Sequence, residues 1–255
     1  MNPTVDWDAA TYDRVADPQE EWGLEVLGRL ELRGDETVLD AGCGSGRVTR
    51  HLLERLPRGR VIGVDASPSM IERARENLEP YGDRVELRVG DLLNLDLGGE
   101  VDAVFSNATF HWILDHQRLF GRLFEALRPG GRLGVQFGGE GNVAGWKRAI
   151  ESAEGDERFS RYLRGMPDIL YFASLGDTEA RLRRSGFELD RIWLEPRTVQ
   201  PAEPRAFVSS VGLAHHLEHL PDQLKDAFID SVLDSMSKPL TLDYVRLNVA
   251  ARRPA

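Results

Sequence analysis

A short apolar run that breaks abruptly into glycines, Val38-Leu39-Asp40-Ala41-Gly42-Cys43-Gly44-Ser45-Gly46-Arg47, leaves this chain few folds to choose from. The run reads as a strand, and Val48, Leu52, Leu53 and Leu56 behind it recur at helical spacing. Glycines let the backbone turn sharply, adopt positive φ and approach a ligand with no Cβ in the way. In an open parallel sheet such a turn lies at the carboxyl ends of the strands, where ligands bind. A glycine-rich surface turn without a ligand is the alternative for an isolated GxGxG, so its surroundings must decide.

From Glu36 to Phe137 short apolar runs alternate with amphipathic stretches, the pattern of a parallel sheet with helices on both faces. Strands are expected at Thr37–Asp40, Arg60–Asp65, Val85–Val89, Val101–Ser106 and Arg132–Phe137. Ser67-Pro68 supplies an N-cap and a first-turn proline for a helix whose apolar face is Met70, Ile71, Ala74 and Leu78. Asp115 caps another, with Leu119, Phe120, Leu123, Phe124 and Leu127 at helical spacing until Pro129-Gly130-Gly131 stops it. Trp7 to Leu32 reads as helical with a break near Asp17-Pro18. A polar, mostly helical region runs from Gly138 to about Gly186. Phe187–Val199 and Leu240–Ala250 read as two more strands, and Asp222 to Met236 between them as an amphipathic helix on Leu224, Ala227, Phe228 and Val232. The expected division is one domain, 1–255: N-terminal helices over 1–33, a core over 34–138, a lid insertion over 139–186, and the last two strands with their helical insertion over 187–255.

With 255 residues, 41% of them hydrophobic, the chain is long enough for one large core. A net charge of −10 disfavours a nucleic-acid partner, whose phosphates demand clustered Lys and Arg. The lone Cys43 forms no internal disulfide or multi-cysteine metal site. No run approaches the ~18 apolar residues of a membrane span, and Met1 to Asp8 lacks a signal-peptide pattern, so no membrane association and a cytoplasmic address are expected.

The obvious rival ligand is a dinucleotide, but G-x-G-x-x-G needs a third glycine where this chain has Arg47 or Thr49, depending on register. Asp65 ends the second strand, placed for two ribose hydroxyls; nicotinamide enzymes use the same device, so it does not discriminate. Gly90-Asp91-Leu92 ends the third with an acid suited to an exocyclic amine, or with a plain turn carboxylate.

Taken together, Asp40 to Gly46, Asp65, Gly90-Asp91, Phe105-Ser106-Asn107-Ala108 and Leu127-Arg128-Pro129-Gly130-Gly131 resemble the motifs of the class I S-adenosylmethionine (SAM)-dependent methyltransferases. The likeness spans about residues 36–138. It implies a doubly wound, Rossmann-like α/β fold, with seven strands in the order 3-2-1-4-5-7-6, strand 7 antiparallel, and helical lid insertions. It implies SAM as cofactor, contacted by Asp40, Ala41, Gly42, Cys43, Gly44, Asp65, Ala66, Asp91, Leu92 and Asn107, with Asp40 near the cationic amino-acid end. Within the class, Trp7-Asp8 with Tyr12, and Phe105 to Trp112 followed by Asp115-His116, look most like the trans-aconitate methyltransferases and, in the same places, the malonyl-acyl-carrier-protein methyltransferases. Both methylate a carboxylate oxygen.

A carboxylate is already ionised at neutral pH and needs no general base, whereas a hydroxyl, nitrogen or carbon acceptor often does. A non-catalytic SAM-binding protein also fits these motifs, because they report cofactor binding more directly than turnover; a nicotinamide oxidoreductase fits them least. His111 and Trp112, just beyond the fourth strand, are expected to face the acceptor, and Tyr12 to close over SAM. Trp7, Tyr12 and Trp22 serve equally as helix-packing aromatics. His215, His216 and His219 read as a polar loop or helix face, and no metal site is expected there. A small organic acid is the expected acceptor, with Arg47, Arg161 and Arg164 read as solvated surface charges or, alternatively, as the group that neutralises it, and a monomer or homodimer as the assembly.

Overall fold

A computed structural model describes residues 17–255. Helix α1 (Asp17–Arg29) leads into β1 (Thr37–Ala41), and three αβ units follow, with β4 entered directly from β3: α2 (Arg47–Glu54), β2 (Arg60–Asp65), α3 (Pro68–Leu78), β3 (Val85–Val89), β4 (Val101–Asn107), α4 (His116–Ala126) and β5 (Leu127–Gly138). The expected caps form: Ser67 Oγ accepts from the Met70 amide at 3.3 Å, and Asp115 Oδ1 from that of Arg118 at 3.0 Å. The seven-stranded sheet has the order β3-β2-β1-β4-β5-β7-β6, with β7 (Leu242–Arg252) antiparallel to β5 and to β6 (Glu188–Val199).

Both faces of the sheet are covered, which explains its near-continuous apolar strands. Val38, Val61, Ala103 and Phe105 pack with Leu27, Leu52, Leu53 and Leu78 on one side. Leu39, Ile62, Val64, Val104 and Leu133 pack with Leu119, Phe120, Leu123 and Leu182 on the other. A third cluster stands apart, joining Trp22, Trp146, Phe159, Phe207, Phe228, Leu242 and Tyr244. It ties α1 to α5 (Ala144–Glu154), α6 (Glu157–Leu163) and α9 (Asp222–Asp234), and so builds a cap. Helix α7 (Leu175–Arg184) instead packs on the sheet, burying Leu182 with Phe187 in the main core. A single turn at Pro204–Phe207 and the short α8 (Ala214–His219) complete the chain between β6 and α9.

Three boundaries differ from the sequence reading. The helix α4 stops at Ala126 and β5 begins at Leu127, because Pro129-Gly130-Gly131 bulges out of the ladder between the pairs Val101/Leu127 and Ala103/Arg132. Strand β7 lies two residues later than expected, its register set by pairing Leu242 with Val199 and Arg252 with Glu188. Of the helix expected over Trp7 to Leu32, the described part is Asp17–Arg29; the remainder, with Trp7 and Tyr12, lies outside the described residues.

Candidate active site

At the carboxyl edge of the sheet the chain leaves β1 and turns. Gly42 and Gly44 have φ of +84° and +54°, conformations that L side chains rarely adopt. A Cβ on Gly42 would stand 2.2 Å from the Thr109 side chain, whereas Gly44 faces open space. The amides of Gly42 and Cys43 donate to the Val64 carbonyl at 2.8 and 3.2 Å, and that of Gly44 donates to Asp65 Oδ2 at 2.9 Å. Asp65 Oδ1 takes the Ser67 amide at 2.9 Å, so one carboxylate holds both the glycine turn and the start of α3.

Beneath the cap this edge opens into a cavity of about 1070 Å³. Its walls include Gly42, Gly44, Asp65, Ala66, Asp91, Leu92, Asn107, His111 and Trp112, so the structure gathers nine of the residues singled out in the sequence. Asp40, Ala41 and Cys43 are not among them: all three are buried behind the turn. Asp91 lines the cavity and also accepts the Leu93 amide at 2.9 Å, so the turn-carboxylate reading holds alongside any ligand role.

Asp40 accepts from the Thr49 hydroxyl at 2.7 Å. Burial pushes its carboxyl up to about 7 from an ordinary 3.8, and the nearby Asp65 charge adds to the rise. The folded chain therefore binds an extra proton between about pH 4 and 7, and the associated stability is lost as pH rises through the folded value. Asp40→Asn, neutral throughout, is expected to raise unfolding stability at pH 8 by up to about 4 kcal/mol and to give no gain near pH 4; thermal melts of the two proteins across this range check it. Burial, with Asp40 and Asp65 beside it, likewise raises the Cys43 thiol well above its usual range and keeps it inert.

His111 is buried against the Phe172 ring, and its Nδ1 receives the Gly138 amide at 3.3 Å. An amide can only donate, so Nδ1 accepts and the neutral ring carries its proton on Nε2. Burial, then the charge of Arg246, holds the imidazole well below its ordinary range, so this side chain is a neutral donor and a poor base.

Several residues that the sequence reading passed over belong to the site. Gln19, Trp146, Phe172 and Arg246 all line the cavity. Arg246, on β7, is 2% exposed; its guanidinium lies 4.9 Å over the Trp22 ring and its Nε donates to Gln136 Oε1 at 3.2 Å. The arginines offered as an alternative for an acid are elsewhere: Arg47 pairs with Glu20, Arg161 donates to the Tyr162 hydroxyl at 2.6 Å, and neither they nor Arg164 line the cavity. His215 and His216 lie on α8 and turn inward, not to solvent, and both face the cavity. Only the fold could reveal Arg246, because an isolated arginine in an alternating strand reads as a solvent-facing residue.

Two features test whether a SAM-like molecule fits. Gln19 Oε1 and Asn107 Oδ1 are buried acceptors with no hydrogen-bond partner among the described residues, and both residues line the cavity beside the glycine turn. Such orphaned acceptors suit an ammonium group. Val89, paired with Asp65 in the β2–β3 register, and Leu114 are the exposed large hydrophobic side chains of the described residues, and both line this cavity, where exposed apolar surface suits a purine face. The residues fit the group.

The profile of a methyltransferase-domain family matches residues 38–131. The chain is 30% identical to the trans-aconitate 2-methyltransferase of Methylobacterium nodulans over 261 aligned positions, covering 98% of this chain and 99% of that protein. It is 39% identical to the enzyme of that name from an Azoarcus species over 130 residues, about half of each chain. Among solved structures, the YcgJ protein of Bacillus subtilis superposes with a TM-score of 0.62 at 15% identity, covering 92% of this chain and 99% of that one. A phosphoethanolamine N-methyltransferase of Haemonchus contortus, solved with S-adenosylhomocysteine, gives 0.59 at 22% identity, covering 92% and 53%.

Proposed function

This chain belongs to the class I SAM-dependent methyltransferases and is most like the trans-aconitate methyltransferases, and from that premise we propose that it methylates a carboxylate oxygen of a small organic acid. The observation that carries this reading is Arg246, a buried guanidinium in the wall of the cavity. A buried positive charge facing a chamber is suited to an anionic guest, because the low dielectric strengthens their pairing.

Bound SAM would supply a methyl on a sulfonium: an acceptor lone pair forms the O–CH₃ bond as the C–S pair returns to sulfur, leaving S-adenosylhomocysteine and a neutral ester. Gln19 and Asn107 would hold its ammonium, Asp65 its ribose hydroxyls, and Asp91 with Leu92 its adenine. Arg246 would align the carboxylate and His111 Nε2–H would steady it. The cap excludes water, and no proton has to move. We place this activity in the cytoplasm, in a monomer or homodimer, with no nucleic-acid partner.

Incubation with methyl-labelled SAM and a panel of small acids tests the reading. Label released as methanol by mild alkali is the expected result for an ester; label stable to alkali overturns it. His111→Gln is expected to keep turnover within about ten-fold, since loss of a true general base costs roughly 10²–10⁴-fold. A loss of that size at unchanged SAM binding would point to an acceptor that must first be deprotonated.

A further inference from the structure

The cap holds two histidines that the methyl transfer does not use. His215 and His216, on α8, both line the cavity. Each keeps one ring nitrogen, Nε2 of His215 and Nδ1 of His216, buried with no hydrogen-bond partner among the described residues. The tautomer of His215 is open, because its Nδ1 lies 3.9 Å from Glu218 Oε2, too far for a hydrogen bond. That of His216 is fixed. Its Nε2 sits 3.1 Å from Oε1 of Glu154, the last residue of α5, and its ring stacks at 5.8 Å on Phe228 of α9. A carboxylate only accepts, so Nε2 carries the proton and Nδ1 is left as a bare acceptor. Burial, with His215 and His219 nearby, holds the imidazole down to about 4, so the ring stays neutral and keeps that acceptor at neutral pH.

A buried acceptor without a partner is costly, and a guest that brings an O–H or N–H to it recovers that cost on binding. Resting on the carboxylate reading above, we propose that the acceptor is an acid that also bears a hydrogen-bond donor, a hydroxyl or an N–H, and that this donor is bound by His216 Nδ1. Glu154 is the positioning residue: it touches no guest in this role and acts by holding the proton on Nε2. The pair selects the guest and moves no proton. An acid lacking the donor enters the same chamber but leaves Nδ1 stranded, which is how a hydrogen-bonding site rejects an analogue of similar shape.

The test uses the full-length protein, labelled SAM and straight-chain acids from butanoate to octanoate, each plain or with a terminal hydroxyl, carboxamide or methoxy group. The methoxy acids keep the polar oxygen and lack the donor. At the chain lengths that reach His216, the hydroxyl or carboxamide acid is expected to exceed its plain and methoxy counterparts in kcat/KM by at least about ten-fold; which of the two leads tells O–H from N–H. In His216→Phe, which keeps a ring against Phe228, that ratio is expected to shrink to within about two-fold. His216→Asn, whose amide oxygen replaces the acceptor, should recover part of it. Glu154→Gln, at a partly exposed position, can turn an amide N–H toward Nε2 and shift the ring proton to Nδ1; it should weaken the preference even if the phenylalanine variant does not fold. No donor preference at any length overturns the proposal and leaves carboxyl methylation standing. A preference that survives undiminished in the His216 and Glu154 variants also overturns it. If no acid is methylated by protein that still binds S-adenosylhomocysteine, the carboxylate reading falls and the proposal falls with it.

Discussion

Arg246→Met is expected to lower kcat/KM for an acid acceptor by roughly 10²–10⁴-fold, the equivalent of the ~3–5 kcal/mol that follows loss of one partner from a buried charge pair. Among the described residues, Arg246 is positioned by its strand β7, the Gln136 side chain on β5 and the Trp22 ring on α1 beneath the guanidinium. Methionine keeps most of the volume and the contact with Trp22 but removes the charge and the fork of donors. Binding of S-adenosylhomocysteine should therefore stay within about three-fold in calorimetry, and Arg246→Lys should recover part of the rate. Undiminished turnover in the methionine variant would remove the guanidinium from acceptor binding. A parallel collapse of cofactor affinity would move it to the cofactor's side of the cavity.

The second large effect concerns Asp65. Its two oxygens receive the amides of Gly44 and Ser67, both at 2.9 Å, and burial raises the carboxyl against the lowering pull of those bonds. Asp65→Ala removes the carboxylate proposed to take the ribose hydroxyls and also strands two amides that shape the turn and the first turn of α3, each loss costing on the order of 1–3 kcal/mol. Affinity for S-adenosylhomocysteine is expected to fall at least about 100-fold by calorimetry, near 2.7 kcal/mol. Asp65→Asn, which keeps the shape and one acceptor, should retain more binding than alanine. Binding unchanged in both variants would refute the assignment of Asp65 to the cofactor.

Much of this molecule could be read along the chain. The alternation of apolar runs with capped amphipathic stretches is local information, and so is the glycine spacing, because φ preference and capping act within a few residues. Those signals located the strands of the core, the turn at Gly42 to Gly46 and the strand-end residues Asp65, Asp91 and Asn107, nine of the singled-out residues meeting at one cavity. Residue type at a strand end cannot say whether a side chain faces the ligand or the core, and so Asp40 was expected beside SAM but lies buried against Thr49.

What the tertiary structure alone decided is the part of the cavity wall that comes from α1, the cap and β7. Gln19, Trp146, Phe172, His215, His216 and Arg246 come from α1, α5, the segment before α7, α8 and β7, and they meet because the third apolar cluster folds those elements over the sheet edge. No spacing in the sequence encodes that meeting. Arg246 looks like an outward-facing strand residue until β7 inserts between β5 and β6, where a sheet interior with a cap above it turns an ordinary surface charge into a buried one. Backbone motifs are local and survive in the sequence, whereas a binding chamber depends on side chains brought from distant elements, and it exists only once the core that joins them has formed.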